Sequence, residues 1–172
     1  MPVDVLIQGQ ATHHPKSPAL SETITRHLAT IFHALELLDP EISLLLTDDQ
    51  EIQALNQTWR GEDKPTDVLS FPIYEAEELP EDPFALGDIV ISVPYAERMV
   101  SSREHRQRVA EELGVDAESL TWRLEEEVAF LFVHGLLHLI GYDHGDPEEE
   151  AEMKDMERKL WTIMTETSDP DA

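Results

Sequence analysis

The sequence contains no cysteine, so neither disulfides nor thiolate ligands are available, and any metal must rest on histidine, aspartate or glutamate. Positive charge is scarce. Lysine and arginine together number 12 against 37 aspartates and glutamates, a formal net charge of −25. A field of that sign repels phosphates and argues against a non-specific polyanion binder, though not against a local basic groove. Long apolar runs are missing as well: no window approaches ~18 uncharged apolar residues. The opening Met1-Pro2-Val3-Asp4-Val5-Leu6 lacks a basic segment followed by an apolar stretch. A soluble, cytoplasmic protein with no membrane partner is the expectation. The acids concentrate in Glu75 to Asp82, in Glu125 to Glu127 and from Asp146 onward, and read as solvated helix faces. The arginines Arg98, Arg103, Arg106 and Arg108 fall together instead.

A chain of 172 residues matches one ordinary domain with its own core, spanning residues 1–172. Val3 to Gln8 alternates as a first strand, and a polar loop with His13 and His14 follows. Helical spacing runs from Ser21 through Ile24, Leu28, Ile31, Phe32, Leu35 and Leu38 to a stop at Asp39-Pro40, with His27 and His33 on its flanks. Ile42 to Leu46 reads as a buried strand, and Thr47 or Asp48 as the cap of a helix carrying Ile52, Leu55 and Trp59. Beyond the charged loop Arg60 to Pro65, Thr66 to Pro72 forms a strand, with a free edge where Pro72 stands. Glu75 to Asp82 is a surface excursion, Gly87 to Ser92 a further strand, and Pro94 opens a helix from Tyr95 to Leu113 that Gly114 closes. The next helix, through Val128 and Leu139, is apolar all round and so buried. Asp146, Pro147 and Glu149 form the capping pattern of a last helix striped by Met153, Met156, Leu160, Ile163 and Met164, and Thr165 to Ala172 reads as a frayed tail. The fold class that results is α/β (α+β): a mixed sheet of about four strands, about five helices, and a central buried helix.

That central helix carries the chemistry. In His134-Gly135-Leu136-Leu137-His138-Leu139-Ile140-Gly141-Tyr142-Asp143-His144, the first two histidines lie one turn apart on a single face. Gly141 can then take the left-handed conformation that reverses the chain and returns His144 as a third ligand. A lone histidine on an apolar helix is more often a satisfied core residue than a ligand, but three at this spacing each require a partner for their ring nitrogens. One zinc ion suits three imidazoles, with the fourth tetrahedral position open. Zinc peptidases share the spacing but place glutamate directly after the first histidine as general base. Here that position is Gly135, which can neither take nor return a proton; it leaves room beside the metal, and the peptidase reading is disfavoured.

The stretch His134 through His144 resembles, residue for residue, the HGxLHLxGYDH signature of the YbeY endoribonucleases, the rRNA maturation factors. Asn56-Gln57-Thr58-Trp59-Arg60, Pro65 to Pro72 and Gly87 to Ser92 are similar to further segments of that family. The resemblance implies a zinc-metalloprotease-like histidine motif put to another use: a metal-dependent, single-strand-specific endoribonuclease. It would act in rRNA processing at the 3′ end of small-subunit 16S rRNA, in ribosome biogenesis and in ribosome quality control. Its partners would be single-stranded RNA, an rRNA precursor, and the ribosome or ribosomal proteins. It further implies zinc on His134, His138 and His144, with His134 and Arg60 in catalysis and the Arg60 guanidinium gripping a phosphate. Arg60 has the alternative of pairing with Glu62 or Asp63. The candidate RNA contacts Arg98, Arg103, Arg106 and Arg108 have that of pairing with Glu97, Glu104, Glu111 and Glu112. Tyr142 and Asp143 either orient His144 or the substrate, or cap the turn. The acidic insertion, the long Arg103 to Thr121 connection and the negative charge depart from compact family members. A competing class is a non-enzymatic ribosome-assembly factor whose zinc is structural, closed by a fourth ligand from Asp143 or Glu127.

Overall fold

The structure is a computed structural model and describes residues 3–7 and 14–167. Four strands form one sheet: β1 (Val3–Ile7), β2 (Glu41–Thr47), β3 (Val68–Pro72) and β4 (Ala85–Ser92), in the order β1-β2-β4-β3. β1, β2 and β4 run parallel, and β3 pairs antiparallel with β4 at the edge. Pro72 ends that edge strand, where a missing N–H costs no ladder bond. Six α-helices are described: α1 (Ser17–Ala34), α2 (Asp49–Arg60), α3 (Val93–Val100), α4 (Arg103–Leu113), α5 (Leu124–Leu139) and α6 (Pro147–Thr167).

Chain direction explains where the helices sit. From β1 the chain crosses by α1 to β2 on one side, and from β2 it crosses by way of α2 to β4. The core divides between the two faces of the sheet accordingly. On one face Ile42, Leu44 and Leu46 of β2 and Ile89 and Ile91 of β4 share a cluster with Ile24 and Leu28 of α1 and with Val128, Phe132 and Leu136 of α5. On the other, Val90 and Leu45 meet Ile52 of α2 and Leu69 of β3. Strands covered on both faces read as continuous apolar runs, as β2 and β4 do. Helix α5 is enclosed by the sheet, α1, α3 and α6. Each fully buried leucine or phenylalanine there contributes about 1.5–3 kcal/mol over exposure, which holds the helix as a fixed post.

Several boundaries differ from the sequence expectation. Helix α1 starts at Ser17 rather than Ser21, with Pro18 in its first turn, and stops at Ala34. The chain turns there because Glu36 takes a positive φ of 58° while the Leu37 N–H reaches back to the Phe32 carbonyl. The continuous helix expected from Tyr95 to Leu113 is two helices, which raises the count from five to six. Ser102 breaks it: its hydroxyl accepts the His105 N–H at 3.2 Å, capping a new helix. Asp48 caps α2 and Asp146 caps α6, as their positions indicated. His27 is buried rather than at a flank, and His33 is exposed. His14 contacts Glu97 on α3. His13 and the tail beyond Thr167 lie outside the described residues. No helix among the described residues is long and apolar enough to cross a membrane.

Candidate metal centre

Three histidines reach one point because α5 ends where it does. His134 and His138 project from its last turns, and the Tyr142 N–H returns to the Leu137 carbonyl at 2.9 Å. Gly141 makes that reversal with φ 102°, a conformation side-chain-bearing residues resist. Its missing Cβ also matters, since one would lie 2.8 Å from the Cβ of Ala76 in the acidic excursion. The turn then delivers His144. Ligating nitrogens of His134, His138 and His144 all lie within 4.8 Å of one another, a group able to hold a metal ion.

The ring nitrogens behind the site decide what those in front can do. His138 Nδ1 lies 2.9 Å from the Tyr142 carbonyl oxygen, which can only accept, so Nδ1 carries the proton and Nε2 a lone pair. His134 Nδ1 donates at 2.7 Å to Glu157 Oε1, a carboxylate that α6 buries. The two Nε2 atoms then face each other at 3.2 Å. Two lone pairs at that distance repel unless a proton or a cation lies between them. The donor set therefore fits a metal ion on chemical grounds: imidazole nitrogens braced by a carboxylate and a carbonyl suit zinc and its first-row neighbours.

Burial lowers the proton affinity of His134, but the hydrogen bond and charge of Glu157, with Asp67 and Glu112 adding, outweigh it and raise the pKa above the ordinary histidine value. Burial and the neighbouring His134 push His138 the other way, below it. Behind the pair, Glu112 is raised by its own burial and by repulsion from Glu157.

A cleft of about 590 Å³ opens in front of the histidines, walled by Arg60, by Thr66 to Ser70 along β3, by Tyr74 to Ala76 and by the Gly141 to His144 turn. Arg60 ends α2 and is exposed. Neither expected surface partner holds it: Glu62 lies 3.9 Å from Lys64, and Asp63 accepts from Gln53. Among the described residues Arg60 forms no ion pair, which leaves its guanidinium free to face the cleft. Thus the structure brings Arg60 and the three histidines together.

It does not bring Arg98, Arg103 or Arg106 with them. Arg98 pairs with Asp49 at 2.7 Å and lies over the Tyr95 ring, not with the glutamates of its own helix. Arg103 and Arg106 lie on α4 away from the cleft lining, and Arg108 borders a smaller cavity beside His134 with Asp67 and Glu112. Tyr142 serves through its main-chain carbonyl, and Asp143 accepts the His144 N–H at 2.8 Å, which steadies the turn. Glu127 is turned elsewhere: its Oε2 accepts from Trp122 Nε1 at 2.6 Å and contacts His105 Nε2 at 2.7 Å, tying α5 to α4. It is not a fourth ligand. Gly135 also differs from expectation, for it faces Ile89 of the sheet. A Cβ there would meet Ile89 Cγ2 at 3.0 Å, so the glycine sets how closely α5 approaches β4, and a glutamate at this position would press on Ile89.

Sequence reasoning missed Glu157. Its signal was an acid in register with the apolar stripe of α6, four residues after Met153 and three before Leu160, where a charged side chain turns inward.

A histidine triad braced on a buried helix, open to a cleft and lacking an adjacent glutamate, marks a candidate metal centre of a class distinct from the zinc peptidases. Comparison with known proteins gives the particular family: the pattern described as Endoribonuclease YbeY matches residues 7–165. The chain belongs to that family. Relatives named Endoribonuclease YbeY include that of Sulfurihydrogenibium sp., 43% identical over 78% of this chain and 77% of its own length. Another is that of Alkaliphilus oremlandii, 37% identical over 94% and 97%. Among solved structures, the solution structure of TM1509 from Thermotoga maritima is similar at 27% identity over 99% of both chains, with a TM-score of 0.51.

Proposed function

We propose that this chain is a zinc-dependent, single-strand-specific endoribonuclease of ribosomal RNA processing, acting in the cytoplasm as one domain on the 3′ end of small-subunit rRNA precursor and in ribosome quality control. Family membership carries the endoribonuclease activity. The observation that carries the metal dependence is the pair of Nε2 atoms facing each other at 3.2 Å with both Nδ1 atoms committed behind them. In this reading His134, His138 and His144 hold one zinc ion.

When bound, zinc would supply Lewis-acid polarisation of a phosphoryl oxygen and of water. The chain's own residues do the rest. Arg60, free of ion pairs and on the cleft wall, grips the phosphate and offsets charge that develops in the transition state. Glu157 and the Tyr142 carbonyl fix both imidazole planes so that no reorganisation is needed at the moment of reaction. Two of the three acids that line the cleft are already occupied, since Asp67 accepts the Val68 N–H and Asp143 the His144 N–H, which softens their repulsion of a phosphate. The alternative of a structural zinc in a non-enzymatic assembly factor requires a fourth protein ligand. Glu127 is committed elsewhere and the candidate group contains three histidines, so the enzyme reading is favoured.

The test is cleavage of a defined single-stranded RNA by metal-loaded and by chelated protein, with casein as the peptidase control. RNA should be cut only by the loaded form, and casein by neither. His138→Ala should lose metal and cleavage together, whereas Arg60→Glu should keep metal and fold and lose cleavage. Equal cutting by chelated and loaded protein would overturn the metal dependence. The product ends report the nucleophile, since a 2′,3′-cyclic phosphate excludes direct attack by water.

A further inference from the structure

We infer that Trp59 and Phe71 form a stacking platform for one unpaired base of the RNA, next to the phosphate that Arg60 holds. The inference rests on the endoribonuclease reading of the cleft and extends it to a residue with no place in that chemistry. Trp59 is 67% exposed at the end of α2, directly before Arg60. The other two tryptophans are less exposed: Trp122 is buried and Trp161 half-buried, and they pack on each other and on Phe130. Trp59 instead rests on Phe71 of the edge strand, with ring centroids 6.1 Å apart and planes at 67°. That edge contact fixes the indole while leaving most of its surface in solvent.

Its place relative to the cleft follows from strand alternation. Val68 packs toward the α5 side of the sheet, whereas Leu69 and Phe71 face the α2 side. The wall of the cleft is thus only one edge strand thick. Arg60 lies on the cleft side of that wall and Trp59, one residue earlier, on the far side against Phe71. An RNA strand that leaves the cleft over Arg60 and crosses the β3 edge meets the indole next.

Charge gives this platform a task. On a chain with net charge −25, phosphate attraction contributes little to holding RNA, and Arg60, the one arginine lining the cleft among the described residues, neutralises one phosphate. Stacking does not depend on charge and accepts any base, because each has a π-face. It also discriminates. A base inside a duplex is covered on both faces and cannot offer one to an indole, so the platform favours single strands.

The experiment uses the zinc-loaded full chain with a single-stranded RNA, the same RNA in a duplex, and a dinucleotide too short to span cleft and platform. Trp59→Ala should raise KM for the single strand about tenfold, with the effect on KM rather than kcat, and should leave dinucleotide cleavage as in the parent. Trp59→Phe should recover most of the loss. Mixing the parent protein with single-stranded RNA should quench tryptophan fluorescence, and the loss of that quenching in Trp59→Ala assigns it to Trp59, the most exposed of the three tryptophans. Unchanged KM in Trp59→Ala overturns the proposal, as does an equal loss in Trp59→Ala and Trp59→Phe that tracks a fall in melting temperature. If the parent quenches on RNA but does not cut it, the endoribonuclease reading fails and the platform stands; if it cuts with no quenching, the platform alone fails.

Discussion

Glu157 stands behind His134 as the carboxylate that sets both the angle and the proton affinity of that imidazole. Removing the charge in Glu157→Gln should weaken metal binding about 10- to 100-fold, the usual cost of losing such a partner. The pH profile should separate this from simple loss of packing. A raised pKa means that the metal-free His134 holds a proton at a pH where an ordinary histidine has released it. Metal must displace that proton, so occupancy starts to fall above about pH 6.5 as the pH drops. In Glu157→Gln burial dominates, and the fall should begin at a lower pH even though affinity at high pH is reduced. Titrations of metal affinity against pH in both proteins check this; an unshifted onset would show that Glu157 does not set the charge of His134. The histidines were legible in the sequence because their geometry is local, an i, i+4 pair and a glycine turn. Glu157 was not, because it lies 23 residues from its partner in a helix crowded with other glutamates.

At the scale of the element, the contact between α5 and β4 depends on Gly135 having no side chain. Ile89 beneath it is fully buried and branched at Cβ, so it yields little. Gly135→Glu, which would complete a peptidase motif, should instead cost more than about 3 kcal/mol through overpacking and a buried carboxylate. Denaturant midpoints measure the loss, and casein should remain uncut; a stable variant that cleaves casein would overturn this account of the glycine. The same scale shows what hydrophobic spacing can and cannot give. The buried helix, the edge strand and the caps at Asp48 and Asp146 followed from pattern. The break at Ser102 did not, because apolar spacing continues across it and only the serine cap marks it. Leu35 and Leu38 likewise continued the pattern of α1 beyond its end, yet Leu38 is 73% exposed.

For the molecule as a whole, strand order depends on pairings between distant segments, and no local pattern in the sequence specified β1-β2-β4-β3. The acidic excursion is another non-local result: it reads as surface, yet Glu75 and Ala76 wall the cleft, and Ala76 packs on the turn that carries the third histidine. Because a metal ion would bind only the assembled site, it should stabilise the whole fold. At 100 times its dissociation constant the gain is about 2.7 kcal/mol, or roughly 5–10 °C in melting temperature for a chain of this size. Calorimetry with zinc and with chelator reads it directly, and identical melting temperatures would mean that the native state holds no ion. The brace on His134 gives the site an order of assembly in biosynthesis. All three imidazoles lie within eleven consecutive residues and leave the synthesising ribosome together, whereas Glu157 follows on the last helix. A growing chain therefore presents its ligands before it can orient them, and firm capture of an ion waits until α6 has docked.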